Sequence, residues 1–115
     1  MGPVALQPLR MAIQIDHHDE QDGVRLEVRG DVDMSTGDRL EPALLRAETA
    51  EPPTLTLDLS RVDFFDSTGL QILLDADVRA HATDRRLVVV PGTGETARVL
   101  ALTQVADRLN VAVIE

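Results

Sequence analysis

The chain has 115 residues, enough for one domain around a single core of moderate size. It contains no cysteine, lysine, Trp or Tyr, which excludes disulfides, thiolate metal sites, cysteine nucleophiles and lysine-dependent chemistry, and leaves Leu, Val, Ile and Ala to build the core. A formal charge of −9, from 20 acids against 11 bases that are all Arg, disfavours nucleic acid and anionic membranes, and no apolar run approaches the ~20 residues of a membrane span.

Residues 1–10 hold two prolines and no periodicity, and read as a flexible arm ahead of a domain spanning 11–115. Ala12 to Asp16 is a short strand with Ile13 and Ile15 on one face. The run from His17 to Gly23 is predicted as a polar turn. No metal site is expected there, because adjacent histidines in a turn point apart. Val24 to Arg29 alternates cleanly and pairs with the first strand as a hairpin. Gly30-Asp31-Val32-Asp33 follows. A first helix is expected from about Ser35 to Thr49, with Leu40, Leu44 and Ala47 on its apolar face, Ser35 or Thr36 as cap, and Asp38 and Glu41 near its positive end.

After Pro52-Pro53, Thr54 to Leu59 has the period of a half-buried strand. Phe64-Phe65-Asp66-Ser67-Thr68-Gly69-Leu70 then holds both aromatic residues of the chain. A second helix follows, on the spacing of Leu70, Leu73, Leu74 and Val78, ending near His81 to Asp84. The two phenylalanines are expected to anchor this junction in the core while the hydroxyls face water. Leu87 to Val90 is a continuous β-branched run, as in a strand covered on both faces. Pro91-Gly92-Thr93-Gly94 is a loop, Val99, Leu102, Ala106 and Leu109 mark a third helix, and Val111 to Ile114 a last strand. The fold class is therefore α/β, in the order β-β-α-β-α-β-α-β, with a mixed central sheet and helices mainly on one face. Sites in such sheets lie at the strand carboxyl ends. That edge is expected to collect Gly30–Asp33, Asp63–Gly69 and Pro91–Gly94.

Enzyme chemistries fit this edge poorly. Asp66-Ser67-Thr68-Gly69 has one residue too many for an aspartic-protease triplet. A hydrolase serine at Ser67 would need Gly at position 65, which is Phe. Gly92-Thr93-Gly94 lacks the lysine of a phosphate loop. Asp58 near the end of a central strand suggests a receiver domain, but that chemistry uses a lysine and its topology has no opening hairpin. The bland reading of the central run is a capped helix start. Against it, Asp66, Ser67 and Thr68 are three candidates for one cap, followed by Gly69, which costs a helix about 1 kcal/mol relative to Ala.

The run Phe64-Phe65-Asp66-Ser67-Thr68-Gly69-Leu70, preceded by Leu55-Thr56-Leu57-Asp58-Leu59, resembles the signature of STAS domains, and most closely that of bacterial anti-sigma factor antagonists. Gly30-Asp31-Val32-Asp33 is similar to that family's Gly-Glu/Asp-x-Asp turn. The likeness spans about Met11 to Glu115.

No signal-peptide pattern opens the chain, so the cytoplasm is the expected location. The resemblance implies a regulatory binding module that is not an enzyme and has no catalytic residue, cofactor or metal. Its partners would be an anti-sigma factor that is also an ATP-dependent serine kinase, and a serine phosphatase. Unphosphorylated antagonist would bind the kinase and free the sigma factor. By position Ser67 is the phospho-acceptor, and Asp31, Asp33, Asp66, Thr68 and Gly69 form the partner surface. Asp31 stands where Glu is more common. The chain stops after its last predicted strand, where many members carry a further helix, so part of the usual surface is expected to be missing. The alternative is a STAS scaffold or adaptor of a stress-signalling or lipid-transport complex, binding constitutively, with Ser67 only a helix cap.

Overall fold

Ile13 and Gly30 face each other at one end of a hairpin, and Glu20 and Gly23 at the other, so the first strand pairs along its whole length with the second. The computed structural model describes residues 12–103 and Leu109. In it, strands β1 (Ile13–Glu20) and β2 (Gly23–Val32) lead to helix α1 (Gly37–Thr49). Strand β3 (Thr54–Phe65), helix α2 (Ser67–Ala82), strand β4 (Arg86–Val90) and helix α3 (Glu95–Thr103) follow. The sheet order is β1-β2-β3-β4, antiparallel at β1–β2 and parallel elsewhere. This is the expected mixed sheet. The predicted arm (1–10) and the predicted last strand (111–114) lie outside the described residues.

The hairpin corrects one expectation. His17 to Glu20 continue β1, and the turn is only Gln21-Asp22. These polar residues make a strand because β1 is an edge whose charges find partners across the ladder: Arg25 reaches Glu20 at 3.0 Å, and His18 Nε2 lies 3.4 Å from Glu27. Alternation puts His17 and His18 on opposite faces. Gly23 closes the turn at φ 153°, where a Cβ would meet the Thr54 carbonyl oxygen.

The sheet has two unlike faces. On one, Leu26, Leu57 and Val89 pair in register, and all are buried. On the other, Arg25 sits beside Thr56, and its guanidinium joins Glu20 to Asp58 at 3.0 and 3.1 Å. Helices α1 and α2 lie over the apolar face, burying Leu40, Leu44 and Ala47 from α1. From α2 the buried stripe is Gly69, Ile72, Leu73, Ala76 and Ala80. That differs from the expected stripe through Val78, which is exposed. The buried set still repeats at helical spacing, but three of its five members, Gly69, Ala76 and Ala80, are small. Gly and Ala let α2 settle close to the sheet and turn the bulkier Val78 to solvent. In α3 the buried residues are Thr96 and Leu100, and Leu102, expected in the stripe, is exposed. Strand β4 is mostly buried, as its apolar run implies.

No helix among the described residues is long and apolar enough to cross a membrane. Nor do the described residues bring three His, Asp or Glu side chains together as a metal site would require.

Candidate functional site

Strand β3 runs further than its alternation indicated, and this builds the site. It pairs with β4 only as far as Asp58↔Val90, then continues beside β2 to Val32↔Phe65. The Pro91–Gly94 loop therefore leaves the sheet early. A Cβ on Gly92 (φ 73°) would strike Ser60, so this loop packs at Ser60 and does not join the edge at Ser67, contrary to expectation. Two segments remain at that edge: the turn after β2 and the start of α2.

They are tied together by backbone. The Asp66 amide donates to the Val32 carbonyl at 3.2 Å, and Asp31 pairs in register with Phe64. Side chains close the joint. On Gly37, the first residue of α1, a Cβ would lie 2.9 Å from the Thr68 methyl. Glycine at 37 thus lets Thr68 pack between the two helix starts. Gly69 has a parallel role, since its Cβ would lie 2.5 Å from the Phe65 ring. The ring occupies the space a side chain would take, which explains a glycine inside a helix.

Consecutive strand residues face opposite ways, and here that separates the two phenylalanines. Phe65 is 2% exposed and anchors the junction, whereas Phe64 is 46% exposed on the opposite face. The expectation that both would sit in the core holds for Phe65 alone.

The start of α2 is capped by Asp66. Its backbone is extended, and its Oδ1 accepts from the Thr68 amide at 2.8 Å. This is an ordinary N-cap, with the carboxylate satisfying one of the orphan amides of the first turn. Ser67 is the first helical residue and is exposed. Its hydroxyl makes no hydrogen bond to any described residue. The capping role that the sequence left open to Ser67 belongs to Asp66.

The turn after β2 is organised by Asp33 and Thr36. Asp33 Oδ1 accepts from the Ser35 amide at 2.9 Å and from the Ser35 hydroxyl at 2.7 Å. The Ser35 hydroxyl, helped by the Ser35 and Thr36 donors, holds the Asp33 carboxyl below the ordinary aspartate range against a smaller opposing effect of burial. Thr36 is almost fully buried; its Oγ1 accepts from the Asp33 amide at 3.0 Å and donates to the Asp31 carbonyl at 2.9 Å. It precedes α1 but caps nothing with its side chain. Its function is to fold the turn back on itself, a role that the Asp-x-Ser-Thr spacing signals in retrospect. Gly30, at φ 97°, lets the Ala12 carbonyl approach and accept from the Asp31 amide.

Asp31, Asp33, Asp66, Thr68 and Gly69 are thus gathered around one edge with Ser67, as the sequence anticipated. Reading the sequence missed Met34. It stands at the tip of the turn and is 85% exposed, a large apolar side chain with nothing over it among the described residues. The edge is also uniformly acidic. Among the described residues, Asp31, Asp33, Asp63 and Asp66 form no ion pair, although ten pairs form elsewhere. An exposed hydroxyl on the positive end of a 16-residue helix, next to the Asp66 cap, is open to a charged group, and among the described residues it is hydrogen-bonded to no base.

The fold is shared with known proteins. In solved structures, an anti-sigma factor antagonist from Mycobacterium paratuberculosis superposes with a TM-score of 0.79 at 30% identity, over 86% of this chain and 84% of that one. The anti-sigma-B factor antagonist of Listeria monocytogenes is 25% identical over 107 residues, 93% of each chain. The Bacillus cell fate determinant SpoIIAA in its phosphorylated form shares the fold, with a TM-score of 0.66 at 15% identity over 90% of this chain and 92% of that one. The family described as "Mlab, STAS domain" matches residues 13–114. With that match over nearly its whole length, and with the Asp66–Gly69 junction and the Asp31–Asp33 turn at one sheet edge, the chain belongs to the STAS domain family.

Proposed function

We propose that this protein is an anti-sigma factor antagonist that binds an anti-sigma factor with serine kinase activity while Ser67 is unmodified, and is released when Ser67 is phosphorylated. The observation that carries this reading is the state of Ser67: exposed, first in α2, and without a hydrogen-bond partner among the described residues because Asp66 does the capping. The antagonists from Mycobacterium paratuberculosis and Listeria monocytogenes support it. On this reading the protein is not an enzyme. The partner supplies the catalytic base and ATP. The Ser67 oxygen forms a bond to the γ-phosphorus, the bond to the β-phosphate oxygen breaks, ADP leaves, and the serine proton goes to the partner's base. A phosphatase reverses the modification by hydrolysis.

The electrostatics favour release over refolding. A phosphoryl group adds about −1.5 to −2 charges. The α2 dipole stabilises an anion there by roughly 0.3–1 kcal/mol, while Asp31, Asp33 and Asp66 oppose it by a similar amount, so the domain itself changes little. At the interface, phosphoserine would face the nucleoside diphosphate left in the kinase, two anions in contact. Repulsion at that contact is what separates the partners.

The test compares two variants against an anti-sigma factor kinase encoded beside this protein's gene (the neighbouring kinase), with bound nucleotide. Ser67→Ala should bind like the wild type and acquire no phosphate by mass spectrometry, and Ser67→Asp should lose most of the binding. Equal binding by both variants, or a phosphate mapped elsewhere, refutes the switch. The constitutive adaptor reading predicts that no phosphate appears on Ser67 at all.

A further inference from the structure

A groove of about 460 Å³ runs from Thr68 along the seam between α1 and α2, on the outer side of the molecule. Its apolar surface comes from Met34, whose side chain is almost wholly exposed, and from Ile72. Its rim carries Asp38 and Glu41 from α1 and Asp75 from α2. None of the three forms an ion pair among the described residues; Asp75 only accepts from Gln71 Nε2, at 2.9 Å. Arg79, which Glu41 and Asp75 attract more weakly than Glu48 does, is held by both carboxylate oxygens of Glu48 at 2.8 and 2.9 Å. The groove is thus apolar below, negatively charged above, and continuous at Thr68 with the Ser67 edge.

We infer that this groove docks a basic amphipathic segment of the kinase partner, an apolar side chain seated between Met34 and Ile72 with arginines or lysines over Asp38, Glu41 and Asp75. The inference rests on the Ser67 reading and extends it by naming the chemistry of the partner's contact. Charge complementarity selects this occupant. Phosphate-bearing ligands and anionic membranes are repelled by three carboxylates. A second copy of this chain, related by a two-fold axis, would bring the same carboxylates against themselves. A cationic segment neutralises them while it covers Met34, and such pairing steers association as well as holding it. Because the groove opens beside Ser67, docking there also orders the approach of the nucleotide to the hydroxyl.

The probe is the neighbouring kinase with ADP, titrated calorimetrically at low and moderate salt. Asp38→Arg/Glu41→Arg/Asp75→Arg should bind at least 100-fold more weakly than the wild type. The neutral Asp38→Asn/Glu41→Gln/Asp75→Asn should bind about 10-fold more weakly and lose most of the salt dependence. Thermal melts confirm folding, and the neutral set keeps the test valid if the reversed set unfolds. Wild-type affinity in the neutral set, with Ser67→Asp still non-binding, overturns the groove and leaves the Ser67 switch standing. Wild-type protein that fails to bind the kinase overturns both. A change in sedimentation of the variants alone would show self-association through this face and likewise overturn the proposal.

Discussion

Helices α1 and α2 meet twice, and the two meetings are built on opposite principles. At their C-terminal halves, Glu48 receives Arg79 through two hydrogen bonds and the Arg85 guanidinium on its backbone carbonyl at 3.3 Å. Arg85 also lies 4.0 Å from the Glu48 carboxylate, with its side chain only 8% exposed. Charge there is matched and partly desolvated. At their N-terminal ends the helices touch through Gly37 and the Thr68 methyl, and the surrounding carboxylates form no ion pair among the described residues. One end uses charge to hold the fold together. The other end leaves its charge unneutralised, at a cost in self-repulsion that burial elsewhere offsets, and so keeps it available to a partner.

If that contrast is right, removing charge at the two ends should have opposite consequences. Glu48→Ala leaves Arg79 without its partner and takes away the carboxylate 4.0 Å from the buried Arg85 guanidinium, which keeps only the backbone carbonyl. Breaking such a pair one-sidedly costs more than the pair contributes, so we expect a loss of about 2–4 kcal/mol in unfolding free energy. Kinase binding by the folded fraction should be unchanged. Urea denaturation alongside the binding titration checks both parts. A loss below about 1 kcal/mol would mean that the C-terminal pairing is no more than a solvated surface contact.

Asp66→Ala tests the boundary between the two regimes, because Asp66 is the carboxylate at the Ser67 edge that caps a helix. Its cap should be worth about 1 kcal/mol, well under Glu48 and above the ±0.5 kcal/mol typical of surface changes. Asp66→Asn keeps an oxygen acceptor and should restore most of that stability while still removing the charge. Equal destabilisation by both variants would mean that the charge at the helix end, and not the hydrogen bond, is what matters.

How far the sequence disclosed this contrast depended on whether the information was local. Asp66-Ser67-Thr68-Gly69 was legible because each residue type has a local reason to stand at a helix start, and Gly69 marked itself by its cost. The α1 stripe Leu40, Leu44, Ala47 was legible from periodicity. The matched end was not. Glu48 and Arg79 are 31 positions apart, and nothing along the chain announces that they meet. The strand character of His17–Glu20 was hidden for the same reason, since its charged residues are stabilised across the ladder by Arg25 and Glu27. Phe64 and Phe65 looked alike until the strand was known to continue through both. The phase of α2 was misjudged because volume suggested Val78 as a core residue, whereas close packing required Gly69, Ala76 and Ala80.

The smallest expected effect concerns Asp33, whose carboxylate orders the turn without any cation. Its hydrogen bonds to Ser35 and Thr36 hold its folded-state pKa below the ordinary value of 3.8. A carboxyl whose pKa is depressed on folding contributes stability that is fully present above its unfolded value and is lost as pH falls through the folded one. The contribution should therefore hold at neutral pH and fade as the solution is taken below about 4. Asp33→Asn keeps an oxygen to accept from the Ser35 amide and hydroxyl but cannot titrate. The variant should be slightly less stable than the wild type at pH 6–7, by less than the loss in Asp66→Ala, with the two curves converging at strongly acidic pH. Denaturation series at several pH values would show this as a shallower acid limb in the variant. A gap that stays constant across the acid range would assign the effect to altered packing of the turn, and the Asp33 charge would then have no measurable part in stability, which sharpens the division between the two ends of α1 and α2.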